Sequence, residues 1–305
     1  MIGKIFLIIV IIAALGTSLY LVYLIYQDNY PPVRSFNINY TQLESQPSYP
    51  DYELQFFPNM RFDHNNISYA ADSSCSTERV DKLKRAFSIL QSKVEVISFF
   101  EETAKPDISV NCSNESIEEE MNTFIAGSGG AEGKIPFTGM FYIIPKGEVT
   151  LYEDINCDFP DVEVHEVLHV LGFNHSASQS SVMYPISSCK QVITSDITDE
   201  LIRLYSIPAL PDLYFENISG TKRGNYVNLN FSLKNQGLKD SGNLSVILYG
   251  NNKEIIRKEI TSIEPGSGII YSVQNIRTSS NSLNMVVQNG EELNERNNHA
   301  ELILN

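Results

Sequence analysis

Residues 165–175 read His-Glu-Val-Leu-His-Val-Leu-Gly-Phe-Asn-His and hold three of the five histidines in the chain. Val164, Leu168 and Leu171 recur at spacings of four and three, which predicts a helix with one core-facing stripe. Asp161, just after Pro160, is placed to cap its start. On such a helix His165 and His169 project from one side on neighbouring turns, about 100° and 140° around the axis from Val164. Gly172 can take the positive φ that ends a helix, letting His175 return toward the same point from another direction. Three neutral imidazoles converging in this way leave a tetrahedral zinc ion one open position, for water. Glu166, beside His165, is placed to take a proton from that water as general base and pass it to a leaving amine as general acid. The chemistry within reach of these residue types is hydrolysis of an amide, with zinc bringing the pKa of water toward about 7 and polarising the carbonyl. The competing reading, an accident on an amphipathic helix with Glu166 a solvated acid, has no use for Gly172 or His175.

Elements on either side must hold this helix in place. Thr77 to Val94 carries Val80, Leu83, Phe87 and Leu90 on one helical stripe, with Ser76 or Thr77 as N-cap. Residues 94–100 and 107–112 are short and β-branched, and residues 137–144 and 148–152 are further strand candidates. The Gly127-Ser-Gly-Gly run reads as a loop, and Pro136 to Ile144 as the edge strand that would hold a bound peptide. Helices and strands in mixed order indicate an α+β domain. After Pro211 the texture changes: Tyr226-Val-Asn-Leu-Asn-Phe-Ser-Leu, Leu244-Ser-Val-Ile-Leu-Tyr, Ile269-Ile-Tyr-Ser-Val and Leu283-Asn-Met-Val-Val alternate apolar and polar residues between glycine-bearing turns. That pattern predicts an all-β antiparallel sandwich, with Pro208 to Pro211 as the boundary.

At 305 residues, 42% hydrophobic and 19% charged, the chain has the size and usage of about two globular domains. With 37 acidic against 22 basic residues and a net charge of -15, it lacks the cationic field that nucleic acid phosphates require. Ile5 to Tyr26 is an uncharged run of 22 residues, long enough for a transmembrane helix across a core of about 30 Å. The apolar run of a cleaved signal peptide is shorter, about 7–15 residues. Lys4 precedes the span, so residues 1–4 form a cytoplasmic tip and the rest of a single-pass cell-membrane protein lies outside. Residues 27–57, rich in Tyr, Pro, Ser, Asn and Gln, are expected to form an extended stalk. The division is then a catalytic domain over 58–208 and a sandwich over 211–305. An even cysteine count outside the membrane favours two disulfides. Of three connectivities, Cys75 with Cys112 and Cys157 with Cys189 close local loops. His64 and His299 read as ordinary polar residues.

Residues 165–175 resemble the extended zinc signature of the metzincin metallopeptidases, and Ser181-Val-Met-Tyr-Pro, with Met183 eight residues past His175, resembles their Met-turn. Ser176 after His175 and Met183-Tyr184-Pro185 look most like the matrixin branch. Ala86-Phe87, Ile97-Ser-Phe-Phe-Glu-Glu and Pro106-Asp107-Ile108 are similar in order and spacing to the matrixin helix and following strands. The resemblance implies an endopeptidase acting on proteins or peptides, with one catalytic zinc on His165, His169 and His175, Glu166 catalytic, and Met183 as a hydrophobic base. It also implies that Tyr184, Pro185 and Ile186 line part of the substrate pocket. No Pro-Arg-Cys-Gly string precedes the domain and His64 stands alone upstream, so neither cysteine latency nor a second zinc is implied. A Cys157–Cys189 bridge would tie the segment before the active helix to the one after the Met-turn. Glu153, Asp154, Asp158 and Asp161 are oxygen donors suited to calcium. Pro211-Asp-Leu, Asn235-Gln-Gly, Ile263-Glu-Pro-Gly and Asn294-Glu-Arg-Asn-Asn are similar to the CARDB domain, an immunoglobulin-like, adhesion-related module, which implies an immunoglobulin-like fold and a surface partner for the sandwich. The alternative of a different class is a surface adhesin built on a metzincin fold without activity.

Overall fold

A computed structural model describes residues 16–21, 34–35, 37–40, 54–113, 115, 117–118, 124–152 and 157–304. After the helical residues 16–21 the next described elements are two short strands, β1 (Arg34–Ser35) and β2 (Asn37–Tyr40). The first body then runs through β3 (Met60–Arg61), β4 (Asn66–Ala71), helix α1 (Thr77–Val94), β5 (Ser98–Glu101) and β6 (Ile108–Cys112). It continues with β7 (Ile117–Glu118), β8 (Phe124–Ile125), β9 (Gly127–Ala131), β10 (Tyr142–Ile143), β11 (Gly147–Leu151), α2 (Asp161–Val170) and α3 (Ser195–Tyr205).

Its main sheet has the order β5-β4-β6-β11-β9, all neighbours parallel except β9, which runs antiparallel to β11. Helix α1 starts where Ser76 accepts from the backbone N–H of Arg79 and stops where Glu95 turns left-handed at φ 54. Its Leu83, Phe87 and Leu90 meet Ile67, Ile108 and Val149 of the sheet, Val164 and Leu168 of α2, and Leu201 and Leu204 of α3 in one core. Each such side chain contributes about 1.5–3 kcal/mol on burial. Arg61 is buried beneath the C-terminus of α3, donating to the carbonyls of Leu204 and Ile207 with its guanidinium 4.4 Å from the Tyr205 ring. The negative end of a helix welcomes a cation there.

The glycine run is a strand, β9, and it forms the sheet edge that residues 136–144 were expected to supply. Within 136–144 only Tyr142–Ile143 is a strand, paired in parallel with Met60–Arg61. The physical reason lies in α2. A Cβ on Gly127 would sit 2.6 Å from Glu166 Cγ, and one on Gly129 would sit 2.2 Å from the Glu166 carbonyl oxygen. Only glycine lets the strand approach the helix this closely, and glycine erases the side-chain signal by which a strand is read.

The second body comprises β12 (Leu213–Arg223), β13 (Tyr226–Asn235), β14 (Leu244–Gly250), β15 (Lys253–Ile260), β16 (Gly268–Arg277), β17 (Ser282–Gln288), a 3-10 turn (Glu295–Asn298) and β18 (His299–Ile303). Two antiparallel sheets, β1-β12-β13-β16 and β15-β14-β17-β18-β2, enclose Leu213, Phe231, Leu248, Leu283 and Leu302. Strands β1 and β2 pair with β12 and β18. Residues 34–35 and 37–40 of the expected stalk are thus edge strands of the sandwich, extended but paired, because an extended segment can add to the unpaired backbone groups at a sheet edge. In sequence, the first body is inserted between these two strands and the rest of the sandwich. Residues 54–57 belong to the first body, with Gln55 bridging Phe173.

Of the expected span over residues 5–26, residues 16–21 are described and are helical. No helix among the described residues is long and apolar enough to cross a membrane. The bodies touch where Thr138 Oγ1 donates to the Gln236 carbonyl at 2.7 Å and where Lys239 Nζ lies 2.9 Å from Asp63 Oδ2.

Candidate metal centre

Helix α2 brings His165 and His169 to one side, and Gly172, at φ 95, turns the chain so that His175 joins them. The ring centroids are 4.5, 4.7 and 5.2 Å apart, and one ring nitrogen from each histidine lies within 4.8 Å of the other two. His165 Nδ1 is 2.7 Å from the Val182 carbonyl and His169 Nδ1 is 2.8 Å from the Phe173 carbonyl. A carbonyl can only accept, so both Nδ1 atoms carry the proton and both Nε2 atoms present lone pairs. Burial lowers the proton affinity of all three rings, and the neighbouring His165 helps bring His169 to about 4. Neutral imidazoles with lone pairs converging are a donor set that fits zinc.

Glu166 is buried beside this group, with the Gly129 backbone N–H donating to its carboxylate. Burial pushes its carboxyl up to about 8 against that hydrogen bond. The glycine strand therefore does two things for Glu166: it leaves room for the side chain and supplies a donor.

Met183 is buried, and its carbonyl accepts from the Ser176 N–H at 2.8 Å, joining the Met-turn to the residue after His175. Tyr184 is half-buried, whereas Pro185 and Ile186 are exposed. Disulfides join Cys75 to Cys112 and Cys157 to Cys189, the second linking the approach to α2 with the chain beyond the Met-turn. Asp161 is not the N-cap of α2. Pro160 occupies that position, while the Asp161 carboxylate is buried near the Cys157–Cys189 bridge without a hydrogen-bond partner among the described residues. Burial raises its pKa. Asp158 is exposed, and Glu153 and Asp154, the other two acids expected to suit calcium, lie outside the described residues.

Sequence reasoning missed two features. Phe56 donates its N–H to the Gly172 carbonyl at 2.9 Å and stacks on His169 with centroids 5.6 Å apart. Phe57 and Phe137 each stack on Tyr142, at 4.7 and 4.6 Å, and all three phenylalanines are exposed. The exposure of three phenylalanines is the signal that a sequence alone does not carry. The second feature is His64, which is no isolated polar residue. Its Nδ1 lies 2.5 Å from Asp63 Oδ1 and its Nε2 lies 3.2 Å from Asp107 Oδ2.

With this geometry in view, residues 61–205 match the family model of matrixin and residues 210–301 match that of CARDB. The chain carries a matrixin domain, which is a metallopeptidase domain, followed by an all-β CARDB domain. Among solved structures, it is similar to a CARDB domain of Pyrococcus furiosus in complex with di-metal ions, at 20% identity over 31% of this chain and 88% of that one, TM-score 0.25. It is also similar to a domain of Methanosarcina acetivorans ascribed to a cell surface protein, at 22% identity over 31% and 90%, TM-score 0.26. No curated protein matches the chain significantly.

Proposed function

We propose that this protein is a zinc-dependent endopeptidase of the matrixin type, held at the cell surface by its N-terminal segment. The observation that carries the reading is the convergence of His165, His169 and His175, two of them oriented by backbone carbonyls, beside a buried Glu166. These three histidines would hold zinc, which when bound supplies a Lewis acid that acidifies water and polarises a peptide carbonyl. Glu166 takes the proton from the attacking water and delivers it to the leaving nitrogen. The free side of β9 offers backbone groups on which an extended peptide can lie as an additional strand, running past Glu166. Phe56, Phe57 and Phe137 offer apolar contact to its side chains, and Tyr184, Pro185 and Ile186 form part of the pocket beyond the Met-turn.

In this reading residues 5–26 cross the membrane with the N-terminus in the cytoplasm, and the CARDB domain engages a surface partner. The deciding experiment incubates the full chain in detergent with an unstructured protein such as casein. Cleavage that depends on added zinc and vanishes in Glu166→Ala supports an enzyme. Binding of casein without cleavage by either form would make the chain a surface adhesin on a metzincin fold.

A further inference from the structure

The sandwich contains a buried polar cluster that the peptidase chemistry does not use. Asp212, fully buried just before β12, accepts from Asn297 Nδ2 at 2.8 Å and from Gln236 Nε2 at 3.1 Å. Glu292, in the loop after β17, accepts through Oε2 from the Leu213 N–H at 3.1 Å and from Asn298 Nδ2 at 3.0 Å. The two carboxylates are therefore joined by adjacent asparagines of the 3-10 turn and by the backbone of β12.

Among the described residues the cluster has no positive partner. Glu292 Oε1, Asn297 Oδ1 and Asn298 Oδ1 are all buried oxygens with no hydrogen-bond partner among the described residues, and the two asparagines are only 3% and 4% exposed. One donor is left over, the amide of Asn289 beside Glu292, and pairing it would still leave two acceptors. Among the described residues no lysine or arginine contributes to the charge environment of either carboxyl, and burial raises the pKa of both. Buried acceptors without donors are costly, so a set made only of oxygens suits a cation and not a further acceptor.

We infer that Asp212, Glu292, Asn297 and Asn298 form a binding site for a hard divalent cation, calcium, in the CARDB domain. The donors are carboxylate and amide oxygens only, the set that calcium takes in irregular shells of six to eight, while zinc prefers nitrogen and sulfur. Calcium there would lock the start of β12 to the turn that leads into β18, the two strands on which β2 and β1 add. The site stands apart from the histidines, so its fate is independent of the peptidase reading.

The test uses the full chain stripped of metal on a chelating resin and reloaded with one equivalent of zinc, titrated calorimetrically with calcium chloride. Glu292→Gln, close in size to the native side chain, and Asn298→Ala are titrated in parallel, with circular dichroism confirming the fold. The expected result is one saturable calcium per chain, an affinity at least about tenfold weaker in each variant, and a Tm that rises with calcium only in the wild type. Absence of calcium binding to the wild type would overturn the inference. So would equal affinity in the wild type and both variants.

Discussion

The Nε2 atoms of His169 and His175 face one another at 3.1 Å, while His169 Nδ1 is committed to the Phe173 carbonyl. Phe173 follows the glycine that ends the helix, so one turn both brings the third histidine in and orients the second.

Replacing His175 by alanine removes one of three ligands. Since loss of a mere supporting partner weakens metal affinity about 10–100-fold, zinc affinity should fall by more than about 100-fold. Metal analysis after dialysis at submicromolar zinc checks it, and retained stoichiometric zinc would strike His175 from the ligand set.

Gly127→Ala places a methyl group 2.6 Å from Glu166 Cγ. The carboxylate must move, and a displacement on the scale of an ångström lowers kcat about 100-fold with little change in KM. Zinc content should be unchanged. A variant with native kcat on a peptide substrate would remove the need for glycine at this position. Glu166→Ala should lose about 10²–10⁴-fold.

The Cys157–Cys189 bridge closes a loop with a sequence separation of 32. The chain-entropy model assigns such a loop about 3–4 kcal/mol. The double variant Cys157→Ala/Cys189→Ala should therefore melt several degrees lower and respond more steeply to denaturant-induced loss of zinc. Thermal denaturation of both proteins under identical zinc measures the difference.

His64 lies between two carboxylates, so both ring nitrogens serve as donors only when the ring is charged. The Asp63 hydrogen bond leads in raising its pKa above 6.5, against burial, with Asp107 adding to it. Burial opposes ionisation of Asp63, but hydrogen bonds from His64 and Lys239 outweigh it and hold the carboxyl at about 2. A raised histidine stabilises the fold below pH 6.5 and loses that contribution as pH climbs through its folded value. A depressed aspartate stabilises above pH 3.8 and loses that as pH falls toward 2. Because the pair is about one-third exposed, the effect is below about 1 kcal/mol. Stability should decline gently from pH 6 to 9, and His64→Gln should flatten that slope in urea titrations. An unchanged slope would show that His64 does not titrate with folding.

Leu168 is fully buried in the core that α2 shares with α1 and the main sheet, on the turn between the two helical metal ligands. Leu168→Ala should cost about 2–5 kcal/mol and loosen the helix that carries two histidines. Chemical denaturation of the zinc-free protein separates this packing loss from metal binding.

Much of the site was legible because its signals are local. The four-residue spacing of His165 and His169, the stop at Gly172 and the alternating strands after Pro211 each arise within a few residues of backbone geometry. The helix Thr77–Val94 was readable for the same reason, from its cap and its stripe. Asp161 misled because a residue suited to capping lies one position inside the helix, where its carboxylate turns inward.

By itself, then, the sequence determined which residues are able to hold a metal, which helix carries them, and that a β-rich body follows. Only the tertiary structure decided that the glycine run is the free edge beside Glu166, that Arg34–Ser35 and Asn37–Tyr40 complete the sandwich, and that Asp63, His64, Asp107 and Lys239 meet between the bodies. Those outcomes depend on groups from a few tens to more than two hundred positions apart finding complementary shape and charge. Such pairings leave no period in the chain, because their energy exists only once the core has brought the partners together.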